Sequence, residues 1–425
     1  MNIYVIILSV IALVFLCGCG SNVQTDRAYQ ELGRAQHFHL KENGYLIAFE
    51  KRKKGSLKDL ESADGYVSRF MPIEGNDKLT RRRNEVFENI TTGQMKVMLA
   101  THITENFPHQ KYLYNAYKDR PDGHYSYNAS YDALDSFRRS LIDRLTEKKD
   151  KPYSHIIVMS MGWNNDQVES VWRYNQILTQ LRAIAAENQD QNYHPLVIGF
   201  TWPSAWHTIS DSSIRKTLGH VMSYGNKAND ADELGYTLVN LVLNRHIPDA
   251  IDTAALPQRP KVVVIAHSFG ARLMSRAVFS QPHLKSEDKP AVGVDLFLGL
   301  QGAFSANRFV LNAGREGAPY AEFSNLPTKF VLTTSENDSA NPIAHYITGA
   351  SHVGGKAGLR TANNHPDIFE VRDWARHNES RILLRQDKVL IIDAKSIVVN
   401  PDAHNDILDR EMAELLWYFI RQLDD

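Results

Sequence analysis

The chain has 425 residues, with 48 Lys plus Arg against 49 Asp plus Glu and a formal charge of −1. That balance excludes a generally basic nucleic-acid binder and a polyacidic disordered chain, while 43% hydrophobic residues and 24 Gly suit a folded globular protein. Both Cys, Cys17 and Cys19, fall in the first twenty residues, so the remainder has no disulfide framework and no cysteine-based zinc site, and coheres by core burial alone.

Ile3 to Leu16 is an almost unbroken apolar run. At about 1.5 Å per residue it makes roughly 21 Å of helix, short of the ~30 Å hydrocarbon core of a bilayer. This predicts a signal peptide over residues 1–18 rather than a permanent span. Leu16-Cys17-Gly18-Cys19 resembles the bacterial lipobox, in which a small residue precedes a cysteine that is lipidated and becomes the new first residue. Gly18 suits cleavage before Cys19; Leu16 does not suit cleavage before Cys17. No Lys or Arg precedes the apolar run, so an uncleaved N-terminal anchor stands as the alternative. Either way the chain is expected at a membrane, with acyl chains on Cys19 making attachment durable. Gly20, not Asp, follows that cysteine, which by resemblance to Gram-negative lipoprotein sorting implies the outer rather than the inner membrane of such a bacterial envelope.

Residues 19–125 have no clear fold in the sequence. They contain one expected strand, Tyr45 to Phe49, and two basic clusters, Lys51 to Lys54 and Arg81 to Arg83, read as solvated surface. From residue 126 onwards the pattern changes. Leu134, Phe137, Leu141, Ile142 and Leu145 recur at helical spacing, and the apolar run Ile156 to Met159 ends at Gly162. A helix is predicted over Val168 to Glu187, a strand over Leu196 to Phe200, a helix over Ala231 to Asn244 and a strand over Val262 to Ile265. A helix from Phe269 and strands at Val294 to Leu300 and Lys329 to Thr333 come next. The last elements are a strand at Val389 to Ile392, running on to Val398, and a helix from Ile407 to Leu423. Short buried strands alternating with helices predict an α/β domain over residues 126–425: a mostly parallel, doubly wound sheet with helices on both faces, preceded by a less regular N-terminal region. Residues 339–387, polar and rich in His, Asn and Arg, read as an insertion.

Ala266-His267-Ser268-Phe269-Gly270 follows the strand Val262 to Ile265 and opens the next helical pattern. It resembles the nucleophile elbow of the α/β-hydrolase superfamily, with Ala266 in place of the usual first Gly. The elbow reverses the chain so sharply that residues two before and two after the serine must be tiny, which Ala266 and Gly270 satisfy. Ser268 is therefore the candidate nucleophile, aimed at a helix N-terminus whose dipole favours negative charge; a serine that merely caps the helix is the plainer reading. His267 points away from the hydroxyl and reads as structural.

In that superfamily the acid and then the base follow the serine on later strand ends. Asp338, after the strand Lys329 to Thr333, takes the acid position, with Glu336 its local competitor. Five His follow: His345, His352, His365, His377 and His404. Only His404 lies between the last strand and the final helix, where the resemblance implies the base. No pair among the others has the i, i+4 spacing of helical zinc proteases, so no metal and no cofactor is expected.

Ser160-Met161-Gly162-Trp163-Asn164-Asn165 resembles the superfamily's His-Gly loop, with Met161 where His usually stands, and the N–H groups of Trp163 and Phe269 are the expected oxyanion donors. Together with Phe200-Thr201-Trp202-Pro203-Ser204, this loop is similar to a bacterial α/β-hydrolase branch of unknown function, the resemblance covering about residues 130–425. Trp163 and Trp202 are candidate pocket walls, with core packing the alternative. The resemblance implies a membrane-anchored serine hydrolase that cleaves an ester of a small-molecule or lipid acyl substrate, without nucleic acid; no protein partner is legible. A catalytically inactive envelope scaffold with the same fold is the alternative.

Overall fold

A computed structural model describes residues 39–53, 68–92, 97–119, 127–148, 151–162, 165–204, 227–285, 293–314, 316–338, 350–376, 380–399 and 403–424. The expected signal peptide, with Cys17 and Cys19, lies outside them.

In chain order the strands are β1 (Gly44–Lys53), β2 (Val97–Asn106), β3 (Gln110–Asn115), β4 (His155–Ser160), β5 (Pro195–Thr201), β6 (Lys261–His267), β7 (Leu296–Leu300), β8 (Lys329–Thr334), β9 (Phe369–Asp373) and β10 (Val389–Asp393). The helices used below are α1 (Lys78–Thr92), α2 (Tyr127–Glu147), α3 (Gln167–Glu187), α4 (Ile247–Ala254), α5 (Phe269–Val278), α6 (Lys356–Asn364) and α7 (Arg410–Ile420). Among the described residues, all ten strands join one sheet in the order β3-β2-β1-β5-β4-β6-β7-β8-β10-β9. Every pairing is parallel except the two that flank β2, which alone runs against the others.

The apolar runs form central strands because both faces of the sheet are covered. On β4 and β6, Ile156, Val158, Val262 and Val264 face one layer, where Leu134, Phe137 and Leu141 of α2 and Leu273, Met274 and Ala277 of α5 cover them. Ile157, Met159, Val263 and Ile265 face the other, against Val171, Tyr174, Ile177 and Leu178 of α3 and Met412, Leu415, Leu416 and Phe419 of α7. Side chains alternate across a strand, so a continuous apolar run serves two cores at once. Asp166 caps α3 by accepting from the Glu169 N–H at 2.7 Å.

The structure moves several of the expected boundaries. The break placed near residue 125 does not divide the sheet: β1 pairs with β5 and carries β2 and β3 with it. β1 also continues past Phe49 to Lys53. β2 escapes pattern reading because its buried positions include Thr101, His102, Thr104 and Glu105. The polar insertion holds an ordered helix, α6, and an edge strand, β9, parallel to β10. The last strand stops at Asp393, because Ile397 and Val398 donate back to the Ala394 carbonyl in a turn. The final helix begins at Arg410, since residues 403–405 form a separate 3₁₀ turn.

A buried ionic network ties α5 to its neighbours. Asp232, on the helix 227–236, accepts from Arg272 Nε at 3.1 Å and Nη2 at 2.6 Å, and Arg276 Nε lies 3.6 Å away. Glu316 accepts from Arg272 at 2.8 Å, from Arg308 Nε at 3.0 Å and from the Ser305 N–H at 3.0 Å. Arg308 also donates to Tyr320 Oη at 2.7 Å. The surrounding guanidiniums hold both carboxyls below their ordinary range, against the opposing effect of burial.

Candidate active site

β4 has β5 on one side and β6 on the other. The carboxyl ends of β4 and β6 therefore flank the point where the strand order reverses, the position at which open α/β sheets hold ligands. Ser268 stands there, between β6 and α5, with φ 55° and ψ −120°. A positive φ is strained for a residue with a side chain. The turn is fixed by the Ser268 N–H donating to the Leu300 carbonyl at 2.9 Å, and by Ala271 and Ala303 donating to the Ser268 carbonyl at 3.1 Å each.

The elbow's small residues are demanded by contact. A Cβ on Gly270 would come 2.3 Å from the Ser160 carbonyl oxygen, and one on Gly162 would come 2.6 Å from Ser268 Cβ. Ala266 is fully buried within the strand. β4 and β6 thus press their exit loops together so closely that Gly162 lies against the serine.

His404 reaches the serine from the 3₁₀ turn between β10 and α7. Its Nε2 is 2.8 Å from Ser268 Oγ, and its Nδ1 is 2.8 Å from Asp338 Oδ2. Asp338 follows β8; its side chain is fully buried, and that of His404 is 14% exposed. Glu336, the competing acid, is exposed. The chain from carboxylate to imidazole to hydroxyl is therefore continuous: Nδ1–H donates to the carboxylate and Nε2 is left to accept from the hydroxyl. Of the other candidate His, His352 is buried and bridges Ser305, and His365 ends α6. His345 and His377 lie outside the described residues.

Three ties hold the His404 turn. His267 Nε2–H donates to the His404 main-chain carbonyl at 2.8 Å. Arg173 Nη1 donates to Asn405 Oδ1 at 3.1 Å, and the Val399 N–H donates to Asp406 Oδ2 at 2.9 Å. Burial holds His267 well below its ordinary pKa, aided by the neighbouring His404 ring and Arg173. It is thus neutral, with its one proton on Nε2. The structural role expected of His267 takes a specific form here, positioning the loop that carries the imidazole.

Phe269 opens α5, at the end of the helix that carries partial positive charge. Trp163 and Asn164 lie outside the described residues, but the loop around them is braced on both sides. Trp202 Nε1–H donates to the Met161 carbonyl at 2.9 Å, and Asn165 Nδ2 donates to the Gly162 carbonyl at 3.1 Å. Ser204 Oγ–H then donates to the Asn165 carbonyl at 2.6 Å. Trp202 is 3% exposed and serves as a buried brace of this loop. The Trp-Pro-Ser sequence signalled that these residues matter; no spacing rule could have shown which carbonyls they hold.

Residues 133–294 match the family model described as alpha/beta hydrolase of unknown function (DUF900). The match spans the braced loop, Trp202 and the Ser268 elbow; Asp338 and His404 lie beyond it. No curated protein and no solved structure matches the chain.

Proposed function

On the α/β-hydrolase fold of this chain, we propose that it is a serine hydrolase cleaving a carboxylic ester through an acyl-enzyme on Ser268. The observation that supports this reading is the pair of 2.8 Å contacts linking Asp338, His404 and Ser268. His404 takes the hydroxyl proton as Oγ attacks the ester carbonyl and returns it to the departing alkoxide. Asp338 fixes the tautomer and stabilises the imidazolium. The N–H groups of Phe269 and Trp163 receive the oxyanion, each donor of this kind typically contributing about 3 kcal/mol in the transition state. Water then repeats the cycle on the acyl-enzyme. A fluorophosphonate probe tests this: wild type is expected to take one adduct, mapped to Ser268 and lost in Ser268→Ala. A folded wild type that takes none would instead be the inactive scaffold.

The proposal includes a lipid tether on Cys19 that holds the hydrolase at a bacterial envelope membrane, the outer one in a Gram-negative cell. Its support is the sequence resemblance around Gly18-Cys19. Metabolic labelling with an alkyne palmitate analogue is expected to vanish in Cys19→Ala and persist in Cys17→Ala. The reverse pattern would reject the tether at Cys19.

A further inference from the structure

A second charged cleft, of about 330 Å³, lies away from the serine and is lined by Arg69, Asp135, Arg138, Arg139, Arg245, His246 and Asp249. Four guanidiniums there face two carboxylates. Arg69 pairs with Asp135 at 2.9 Å, and Arg138 pairs with Asp249. Among the described residues, Arg139 hydrogen-bonds only the neutral Ser136 hydroxyl, at 2.8 Å, and Arg245 has no acidic partner. The cleft therefore carries an excess of two positive charges.

His246 supplies an independent observation. It is 1% exposed, yet neither ring nitrogen has a hydrogen-bond partner among the described residues. Its Nε2 is 3.8 Å from Asp135 Oδ1, beyond hydrogen-bond reach. Burial pushes its pKa down to about 3, with Arg245, Arg138 and Arg69 adding to the shift, so the ring is neutral and carries one N–H. A buried donor without an acceptor is rare in folded proteins and calls for a ligand or water. Arg245 and His246 sit on a π-helical turn, Val242–His246, a geometry that recurs at functional sites. The turn is fastened to the far end of α5 by Asn244, which donates to the Ala277 carbonyl at 2.7 Å, and the helical residues before it are held by Asn240, which donates to the Ser280 carbonyl just past α5 at 2.8 Å. A ten-residue helix is about 15 Å long, which separates this cleft from Ser268.

We propose that this cleft is a binding site for a phosphate monoester dianion, held by the forks of Arg139 and Arg245 and by the His246 N–H. The dianion matches the excess charge, and guanidinium forks match the spacing of phosphate oxygens. A neutral imidazole adds a donor without adding charge. The same chemistry is offered by a soluble phosphate ester and by a phosphatidate headgroup.

The test is thermal unfolding of the full chain in inorganic phosphate against chloride at matched ionic strength. Wild type is expected to show a saturable rise in Tm of about 2–4 °C. The rise is expected to be lost in Arg139→Gln/Arg245→Gln, whose ester hydrolysis and Tm in chloride stay at wild-type values; Arg139 is exposed and Arg245 partly exposed, so the fold tolerates the change. No rise in wild type, or an equal rise in the variant, overturns the site. Soluble dihexanoyl phosphatidate distinguishes the two sources: at least tenfold tighter binding than phosphate assigns a lipid headgroup, and equal affinity assigns a soluble ester. Neither readout depends on Ser268, so the hydrolase reading stands or falls separately.

Discussion

Ser268→Ala and His404→Ala are each expected to lower kcat on a p-nitrophenyl ester by about a millionfold, and Asp338→Asn by about ten-thousandfold. The first removes the attacking oxygen. The second removes the imidazole that lies 2.8 Å from that oxygen and takes its proton. In Asp338→Asn an amide replaces the carboxylate at 2.8 Å from Nδ1. An Asn donor favours the tautomer with the proton on Nε2, which then cannot accept from the serine. The loss is smaller because the imidazole remains in place. KM is expected to change little in all three, since none of these groups is needed to hold the acyl chain. A wild-type rate in Asp338→Asn, with a loss in Glu336→Gln, would transfer the acid role to the exposed competitor.

The second large effect is on stability. Asp232→Ala is expected to cost about 3–5 kcal/mol of unfolding free energy, measured by urea titration, because among the described residues it leaves Arg272 and Arg308 with Glu316 as their remaining carboxylate partner and Arg276 with none. Its pH dependence has a definite sign. Asp232 and Glu316 titrate below their ordinary range when folded, so the unfolded chain binds more protons in acid. Their stabilising contribution is complete above the ordinary carboxylate range near pH 4. It drains away as pH falls through that range towards the depressed folded values. Wild type therefore loses stability steeply below about pH 5, and Asp232→Ala loses it less steeply, having already forfeited one of the two groups. A variant within 1 kcal/mol of wild type, with an unchanged acid limb, would show that the network contributes little.

Much of the domain was readable because its central strands are apolar on both faces. Ile156 to Met159 and Val262 to Ile265 announce buried parallel strands, and the residues at their ends then acquire positions. Ser268 stood out by the size of its neighbours, Asp338 and His404 by chain order; the structure brings the three side chains together. What the sequence hid is polar and long-range. β2 buries His102 and Glu105, which a hydropathy pattern assigns to the surface, so of the strands before residue 126 only β1 was legible. The Asp232–Arg272–Glu316–Arg308 network joins residues up to 84 positions apart, from 232 to 316, through charges that read as solvated surface. The Trp202 and Asn165 brace uses side chains that name no partner by type. Gly162 and Gly270 were legible because the close approach of neighbouring atoms leaves few alternatives there.

The most direct test of a catalytic unit built from Ser268 and His404 is the double variant Ser268→Ala/His404→Ala, measured beside each single variant under identical conditions. Residues acting on one proton transfer fail together, so the double variant is expected to be no slower than either single one, all three resting on the residual rate that substrate binding and the proposed oxyanion donors leave. Losses that multiply, or a His404→Ala enzyme at wild-type rate, would contradict it.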